Sequence, residues 1–487
     1  MRAGKDSQAL TLCQELLAQN PNDPIAQHVK GMVLYRAGQG EAGLATMQAA
    51  LQADDSDPVR AQQLAMAYLH AGKLDRAADA IELGLAAAPR HAPLMLASAE
   101  LRLRQGDRAT AETDCQQALA INPLLLPGHQ LLATLLSERG ELEPAVGHFA
   151  QARNSQDAPA DPLGNFAWSL LALGRSPELL TFSPAKLPIQ VFSETLSLAQ
   201  AAWQMDDMAA LDQALDICRT QVSPSSDAPN QPFLIAMLTR LTHLREFRRG
   251  NPDSYRPATP QTAEVTGQPV ADQAEPAEPA ARDRLLFFLG DEQALTPGHL
   301  RVAYAGGIRQ VVPLATPGLK VWHLVRPKPS RPLGAFLASL KRLPQGAHLV
   351  VGLGELDLRL TTGLHDHIRR NPDLRWRDLV DRLVPPYVAA LSEIANSRDF
   401  TITLQTPPAS AMISALVTRG DRVAFDEAHK RFCRLLISQG RAKGFKILDL
   451  NDATRDAKGA VKRQHYFDSS SLRPSLYLAA FEQSDAD

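Results

Sequence analysis

The 487-residue sequence has little of several features that mark particular protein classes. Its four cysteines are scattered, without Cys-x-x-Cys or Cys/His spacing, so a structural zinc site is not expected and a reducing compartment is favoured. No apolar run approaches the roughly 18 residues of a membrane span, and the first residues do not form a signal peptide. The formal net charge is only -2, which argues against nucleic acid as a partner. These absences predict a cytoplasmic protein.

Length and composition favour more than one globular domain. A chain of 487 residues is too long for a single hydrophobic core, so two or three domains are expected. Hydrophobic residues make up 45% and charged residues 21%, which is ordinary for a folded, water-soluble protein.

Glycines recur every 34 residues in the first part of the chain. They are Gly4, Gly38, Gly72, Gly106, Gly140 and Gly174. A small residue follows five positions after each of the first five, namely Ala9, Gly43, Ala77, Ala111 and Ala145. Glycine ends the turn between two helices and the small residue lets them cross closely, so the pattern predicts repeated helical hairpins. Cys13 and Cys115 share one core register of this repeat and are interpreted as small buried apolar residues.

This pattern resembles the tetratricopeptide repeat (TPR), over about residues 1–221. Because Gly4 already holds an inter-helix position, the first repeat is predicted to be truncated, and a missing upstream segment is expected. The resemblance implies an all-α solenoid that binds a protein or peptide in its concave groove. By the family's geometry the groove would be lined by His28, Met32, Gln62, Met66, Leu96, Glu100, Gln130 and Thr134. The alternative is a solenoid that only spaces or dimerises its neighbour.

A change of composition separates the repeat from the rest of the chain. Residues 222–250 are predicted to form a capping helical region, and residues 251–283 a disordered linker rich in proline and alanine. The linker has almost no large apolar residues, so it cannot bury enough surface to fold. The remaining residues, 284–487, form the predicted second domain.

Strand-like and helical segments alternate from residue 284 onward, which predicts an α/β domain with a parallel sheet between two helical layers. The predicted strands are Leu285–Leu289, Leu319–Leu324, His348–Gly352, Phe400–Leu404 and Lys446–Leu450, with an irregular strand or hairpin over Leu300–Val312. The predicted helices are Leu333–Leu343, Leu374–Ser397, Arg422–Gly440 and Ser471–Glu482.

Polar residues follow the first predicted strand at the position where open α/β sheets bind ligands. Gly290-Asp291 there, Gly354-Glu355-Leu356-Asp357 after the third strand and Asp468 resemble the conserved blocks of SGNH/GDSL-type hydrolases, which have a three-layer, flavodoxin-like fold. The family's ester hydrolysis implies a serine directly after Gly-Asp, an Asp-x-x-His pair, and a glycine amide and asparagine that hold the oxyanion.

The sequence departs from this pattern at nearly every catalytic position. Glu292 stands at the nucleophile position, Ser471 at the histidine position and Leu356 at the asparagine position, whereas Asp468 is retained. No oxyanion glycine follows Leu319–Leu324, although Gly306 or Gly307 would serve if that strand were misplaced. We therefore predict a catalytically degenerate domain, without a cofactor or a metal, in a protein-interaction scaffold.

Three alternatives remain open at this point. The carboxylates of Asp291, Glu292, Glu355 and Asp357 would cluster to bind a cation, a saccharide or another small polar ligand, or Asp291 and Asp357 would only cap loops and helix starts. An active hydrolase would remove acyl groups from a saccharide or similar ester, using groups not identified. The C-terminal domain would otherwise be a dimerisation unit. His365-Asp366-His367 is interpreted as a solvated loop rather than a metal site.

Overall fold

The computed structural model describes residues 2–153, 165–181, 192–221, 231–255, 284–358, 363–371, 373–409, 419–467 and 471–486. The chain forms two compact units. The first comprises residues 1–135 and 147–160, and the second comprises residues 136–146 and 161–487.

Antiparallel helices joined by short turns build the first unit. They are α1 (Arg2–Gln19), α2 (Pro24–Arg36), α3 (Gly40–Ala53), α4 (Pro58–His70), α5 (Leu74–Ala87), α6 (Ala92–Gln105) and α7 (Arg108–Ile121), together with the parts of α8 (Leu126–Arg139) and α9 (Leu142–Arg153) that belong to this unit. Asp23-Pro24 and Asp57-Pro58 start two of them, because each aspartate accepts a backbone N–H bond and proline fits the first helical turn.

The recurring glycines form the turns that the period predicts. Gly38, Gly72 and Gly106 have φ angles of 86°, 72° and 87°, a left-handed conformation that disfavours side chains. Gly4 is an exception, because it lies within α1 and not in a turn. Only three residues precede it, and two of them continue the same helix.

Small residues allow the helices of each hairpin to approach closely. A Cβ atom on Gly43 would lie 2.6 Å from the Tyr35 backbone nitrogen and 2.7 Å from the Gly31 carbonyl oxygen. Cys13 and Cys115 are buried, which confirms their predicted place in the core. Burial raises the pKa of the Cys115 thiol to about 12, as expected for an unreactive core cysteine.

The second unit begins with helices and continues into a sheet. Its helical segments before the sheet are the remainder of α8 and α9, then α10 (Asn165–Ala172), α11 (Ser176–Thr181), α12 (Phe192–Gln204), α13 (Met208–Gln221) and α14 (Gln231–Gly250). Residues 252–254 form one 3₁₀ turn, and Tyr255 pairs with Leu300 in an isolated antiparallel bridge. The predicted linker beyond residue 255 lies outside the described residues, and the predicted domain limits stay predictions.

Six strands form one mixed sheet. They are β1 (Leu285–Gly290), β2 (Arg301–Tyr304), β3 (Gly307–Ala315), β4 (His348–Gly352), β5 (Thr401–Gln405) and β6 (Lys446–Leu448). The strand order is β2-β3-β1-β4-β5-β6, and all neighbours are parallel except β2 and β3. The sheet is therefore mixed and not wholly parallel as predicted, because the chain enters β3 through a tight hairpin from β2.

Helices follow the strands along the chain. They are α15 (Val321–Val325), α16 (Arg331–Arg342), α17 (Leu364–Arg370), α18 (Trp376–Ser397), α19 (Arg419–Ala442), α20 (Leu450–Ala453) and α21 (Pro474–Ala486). The four predicted helices correspond to α16, α18, α19 and α21. His365-Asp366-His367 lies in α17, so its prediction as a loop is wrong.

One predicted strand is wrong. The segment Leu319–Leu324 includes the start of helix α15, and the second parallel strand is β3. The hairpin predicted over Leu300–Val312 is confirmed, because this region contains β2 and the start of β3. Thr316-Pro317-Gly318 ends β3, and the Asp357 carboxylate accepts the N–H groups of Val321 and Trp322 at the start of α15. A capped helix start thus overrides the local preference of valine and tryptophan for strands.

Side chains of β1 are buried on both faces of the sheet. Phe287 and Leu289 belong to a core that also includes buried residues of α16, α18 and α19. Phe288 points to the opposite face, where its ring lies 5.8 Å from the ring of Tyr477 in α21. A strand buried on both faces is typical of a parallel sheet covered by helices.

Candidate functional site

The two segments that resemble hydrolase blocks follow β1 and β4, which are neighbours in the sheet. Gly290 pairs with Ala315 of β3 on one side and Gly352 of β4 on the other. A Cβ atom on Gly290 would overlap the Gly352 carbonyl oxygen, so only glycine fits there. The three strands thus bring the loops after Gly290, Ala315 and Gly352 to one edge of the sheet.

Two of the predicted site carboxylates cap local structure. Asp291 Oδ1 accepts the Gln293 N–H at 2.8 Å at the start of the 3₁₀ helix Glu292–Leu295. Asp357 Oδ2 accepts the Val321 N–H at 2.8 Å, and its Oδ1 accepts the Trp322 N–H at 3.2 Å. The interpretation of both residues as caps is confirmed.

Asp357 is also an unusual acid. Its burial raises the pKa of the carboxyl group to about 6, although the backbone N–H donors of Val321 and Trp322 favour the ionised form. Asp357 and Asp291 both raise the pKa of the buried Tyr387 phenol, in addition to the larger effect of its burial. Tyr387 therefore lies within electrostatic reach of both carboxylates.

The loop that would carry a nucleophile is buried. Every residue from Asp291 to Leu300 is buried, and Glu292 has only 4% of its surface exposed. Helices α12 and α14 provide buried partners for this segment, which we call the β1 loop (residues 291–300). A side chain at position 292 could not reach a substrate in solvent while these helices stay in place.

Arg240 of α14 bonds directly to the β1 loop. Its guanidinium is buried, with the residue 3% exposed, and Nη1 donates to Gln293 Oε1 at 2.6 Å and to the Glu292 carbonyl oxygen at 3.3 Å. The nearby Tyr477 phenol, whose pKa is raised mainly by its burial, is influenced by both Arg240 and Asp291. A buried cation therefore holds the β1 loop to α14.

Trp203 of α12 makes a second buried connection to the β1 loop. Its indole Nε1 donates to the Leu295 carbonyl oxygen at 3.0 Å, and His299 Nε2 bonds to the Trp203 carbonyl oxygen at 2.6 Å. Burial lowers the pKa of His299 to about 4, so the ring is neutral at pH 7 and Nε2 carries the donated proton. No local sequence pattern indicates these contacts, because the partners lie 92 and 96 positions apart.

The other block positions differ in exposure. Glu355 is half-buried, Leu356 and Ser471 are buried, and Asp468 lies outside the described residues. The Ser471 carbonyl oxygen accepts the Phe467 N–H at 2.8 Å. Within the described ranges, no three His, Cys, Asp or Glu side chains lie close enough to hold a metal ion.

Neither of the two glycines considered for the oxyanion position lies at the carboxyl end of β3. Gly306 and Gly307 lie at the hairpin between β2 and β3, at the start of β3. The glycine that follows the carboxyl end of β3 is Gly318, with a φ angle of 80°. The neighbouring Thr316 donates its N–H to the Gly290 carbonyl oxygen at 2.7 Å, so this turn adjoins the end of β1.

The predicted groove residues occupy equivalent places on successive first helices. Each of α2, α4, α6 and α8 carries two of them, four residues apart. His28 is buried and its Nε2 bonds to Gln63 Oε1 at 2.8 Å, whereas the other seven are half-buried. Burial lowers the pKa of His28, so it is a neutral core residue at pH 7. Binding by the groove stays a prediction.

Hairpins with a 34-residue period, left-handed glycine turns and buried small residues at the crossings identify the repeat type. The N-terminal region is a TPR-like solenoid. No protein-family model matches the chain, and no curated protein matches it. In the part of the chain that the structure describes, no helix is both long and apolar enough to cross a membrane.

Solved structures similar to this chain include several TPR proteins. One from Thermus thermophilus has 24% identity over 35% of this chain and 93% of its own, with a TM-score of 0.29. One from Parabacteroides merdae has 14% identity over 49% of this chain and 94% of its own, with a TM-score of 0.36. MamA from Desulfovibrio magneticus has 19% identity over 32% of this chain and 90% of its own, with a TM-score of 0.28.

A separate cleft of about 400 Å³ lies beside Asp357, between α15, α17 and α18. Lys320, Arg326 and Arg382 line it, together with Trp322 and several leucines. These residues were not among the predicted site residues. The cleft could not be predicted because Leu319–Leu324 was expected to be a strand within the sheet. In the structure this segment instead contributes Lys320 and Trp322 to the wall of the cleft.

Proposed function

We propose that the chain is a protein-interaction scaffold whose TPR-like solenoid binds a segment of another protein. The observation that carries this proposal is the alignment of seven half-exposed side chains on four successive first helices. Repeats of this kind present an extended surface because each hairpin places equivalent residues beside those of the next.

The chemistry of this surface favours a largely uncharged partner segment. Met32, Met66 and Leu96 are apolar, and Gln62 and Gln130 offer amide groups that both donate and accept hydrogen bonds. The one acid, Glu100, forms an ion pair with Arg104 at 2.8 Å, which neutralises its charge. A peptide with apolar anchors and polar, uncharged neighbours complements such a groove.

Selection of peptides on the full chain from a displayed library tests this proposal. We expect the selected peptides to bind the wild type with a dissociation constant that rises about tenfold or more in Gln62→Lys and Gln130→Lys, because a cation would be placed against uncharged groups. Gln117→Lys, on the exposed surface of the second helix α7, is the matched control and should bind as the wild type does. Equal binding by all four proteins would place the peptide site outside the groove.

We also propose that the domain from residue 284 onward is an SGNH-type fold without ester hydrolysis. The five parallel strands have the order 2-1-3-4-5 when numbered along the chain, which is the flavodoxin-like order. The chain places Glu292 at the nucleophile position and Ser471 at the position of the basic histidine.

Two physical arguments support the absence of hydrolysis. A carboxylate attacking an ester forms an anhydride, and loss of a serine nucleophile or its base typically slows acyl transfer by about 10⁴- to 10⁶-fold. In addition, the β1 loop is covered by α12 and α14 and bonded to Arg240. The domain is therefore better suited to a structural role than to catalysis. Ester hydrolysis assays distinguish a structural domain from an active hydrolase.

A further inference from the structure

The cleft beside Asp357 has the size and composition of a small-molecule site. Its volume of about 400 Å³ lies within the roughly 300–1,000 Å³ that is usual for ligand pockets. It opens next to the carboxyl edge of the sheet, but its walls are α15, α17 and α18 and not the buried β1 loop. The cleft is thus separate from both the solenoid groove and the β1 loop.

Positive charge from three different segments lines this cleft. Lys320 precedes α15, Arg326 follows it, and Arg382 lies on α18, where it is exposed. Among the described residues, neither Arg326 nor Arg382 forms an ion pair with a carboxylate, whereas Arg377 on the same helix lies 3.9 Å from Asp381. Three cations that converge on one space raise the local concentration of anions.

The one described acid in the cleft wall does not offset these cations fully. Asp357 is buried, and both of its carboxylate oxygens accept backbone N–H bonds from the first turn of α15. Its carboxyl group is thus oriented toward the helix start. The cleft consequently favours a ligand with negative charge over a metal cation or an organic cation.

Apolar side chains form the rest of the wall. Leu364 and Leu383, which line the cleft, are buried, and Trp322 remains 43% exposed. The Arg326 guanidinium lies 4.6 Å from the centre of that ring, so the cation is held against the aromatic face. An inorganic anion would satisfy the cations alone, whereas a ligand with an apolar body would also cover the leucines and the indole.

We propose that this cleft binds a small amphiphilic anion. Its carboxylate or phosphate head group pairs with Arg382, Arg326 and Lys320, and its aliphatic or aromatic body lies against Trp322 and the leucines. Arginine suits both head groups because its planar fork donates two parallel hydrogen bonds to either one.

Isothermal titration of the full chain with four probes tests the two halves of the proposal. The probes are octanoate, octyl phosphate, 1-octanol and inorganic phosphate. We expect at least one of the two eight-carbon anions to bind about tenfold or more tightly than 1-octanol and than inorganic phosphate, since only the anions use both the cations and the apolar wall. Equal affinity for 1-octanol, or binding of inorganic phosphate alone, would overturn the amphiphile assignment, as would no binding by any probe.

Matched variants locate the bound anion. Arg382→Gln should weaken binding about tenfold because a charge-assisted hydrogen bond is lost. Arg377→Gln removes an exposed arginine from the same helix outside the cleft and should leave the affinity unchanged. Trp322→Phe should abolish the ligand-induced change in tryptophan fluorescence while retaining binding. Binding that is insensitive to Arg382→Gln, or a fluorescence change that persists in Trp322→Phe, would contradict the site.

Discussion

Arg240 is the residue that connects α14 most directly to the β1 loop. It enters the β1 loop from α14 and donates to both the side chain of Gln293 and the main chain of Glu292. A buried guanidinium requires such acceptors, since a buried charge without hydrogen bonds is strongly unfavourable. The arrangement makes the loop part of a packed interior.

Replacing Arg240 should therefore destabilise the protein. We expect Arg240→Ala to lower the free energy of unfolding by about 2–4 kcal/mol, because charge-assisted hydrogen bonds are lost and buried acceptors remain. Chemical denaturation of the full chain measures the effect. Arg377→Ala, an exposed arginine, should change it by less than about 0.5 kcal/mol. Equal small effects of the two substitutions would show that Arg240 does not hold the loop.

The raised pKa of Asp357 should make the free energy of unfolding depend on pH. Burial raises its pKa to about 6, above the roughly 3.9 of an unfolded chain, so the folded state binds more protons between these values. The free energy of unfolding should then decrease as pH rises from about 4 to about 6. Asp357→Asn lacks the titrating group but keeps an oxygen acceptor.

Denaturation at several pH values checks this dependence. The stability of the wild type relative to Asp357→Asn should fall as the pH increases through that range. A relative stability that rises instead would mean that the backbone N–H bonds outweigh the burial of the carboxylate and hold its pKa below the unfolded value.

At the scale of elements, the α2/α3 hairpin depends on the absence of a side chain at Gly43. A Cβ atom there would meet backbone atoms of Tyr35 and Gly31, which cannot move aside as a flexible side chain could. We expect Gly43→Ala to cost about 1–3 kcal/mol of stability through overpacking. Gly40→Ala lies in the same helix with open space around it, so it should be neutral or slightly stabilising. Thermal unfolding measures the stability of both variants. Equal stability of the two would refute a close approach of α2 and α3 at Gly43.

The elements differ in how far the sequence predicts them. The hairpins are visible because Gly38, Gly72 and Gly106 impose a long, regular period that chance does not produce. The strand prediction at Leu319–Leu324 fails because its four apolar residues fit either structure. The Asp357 side chain that selects the helix lies 36 positions from Val321. The local sequence is compatible with a strand or a helix, and hydrogen bonds to a carboxylate that is distant in sequence stabilise the helix.

At the scale of the whole molecule, the sequence predicts the strand that precedes the candidate site but not the burial of the loop that follows it. Gly290-Asp291 does end a buried parallel strand, as its pattern indicates. Trp203 and Arg240 cover the loop that follows, although 92 and 53 positions separate them from their partners Leu295 and Gln293. Because these contacts join residues on opposite sides of the predicted linker, no local sequence pattern indicates them. The burial of the β1 loop therefore could not be predicted from the sequence.

Hydrogen exchange of the full chain should reveal this burial. The amides of Thr296 and Leu300 donate to carbonyl groups within the β1 loop, and the amide of His299 donates to the Val311 carbonyl oxygen in β3. We expect peptides from the β1 loop to exchange as slowly as those of β1 itself, because opening them requires α12 and α14 to separate from the sheet. The exposed turn at Ala305-Gly306 is the fast-exchanging control. Rapid exchange in the loop would show that it opens readily to solvent.

Ester hydrolysis by the purified full-length chain is the most direct test of the central claim. The substrates are an activated acetate ester and an acetylated oligosaccharide, measured with the wild type beside Glu292→Ala. A covered loop without a serine nucleophile predicts that both proteins release acetate no faster than buffer does. Turnover by the wild type that disappears in a folded Glu292→Ala protein would contradict the account and place a carboxylate mechanism at Glu292.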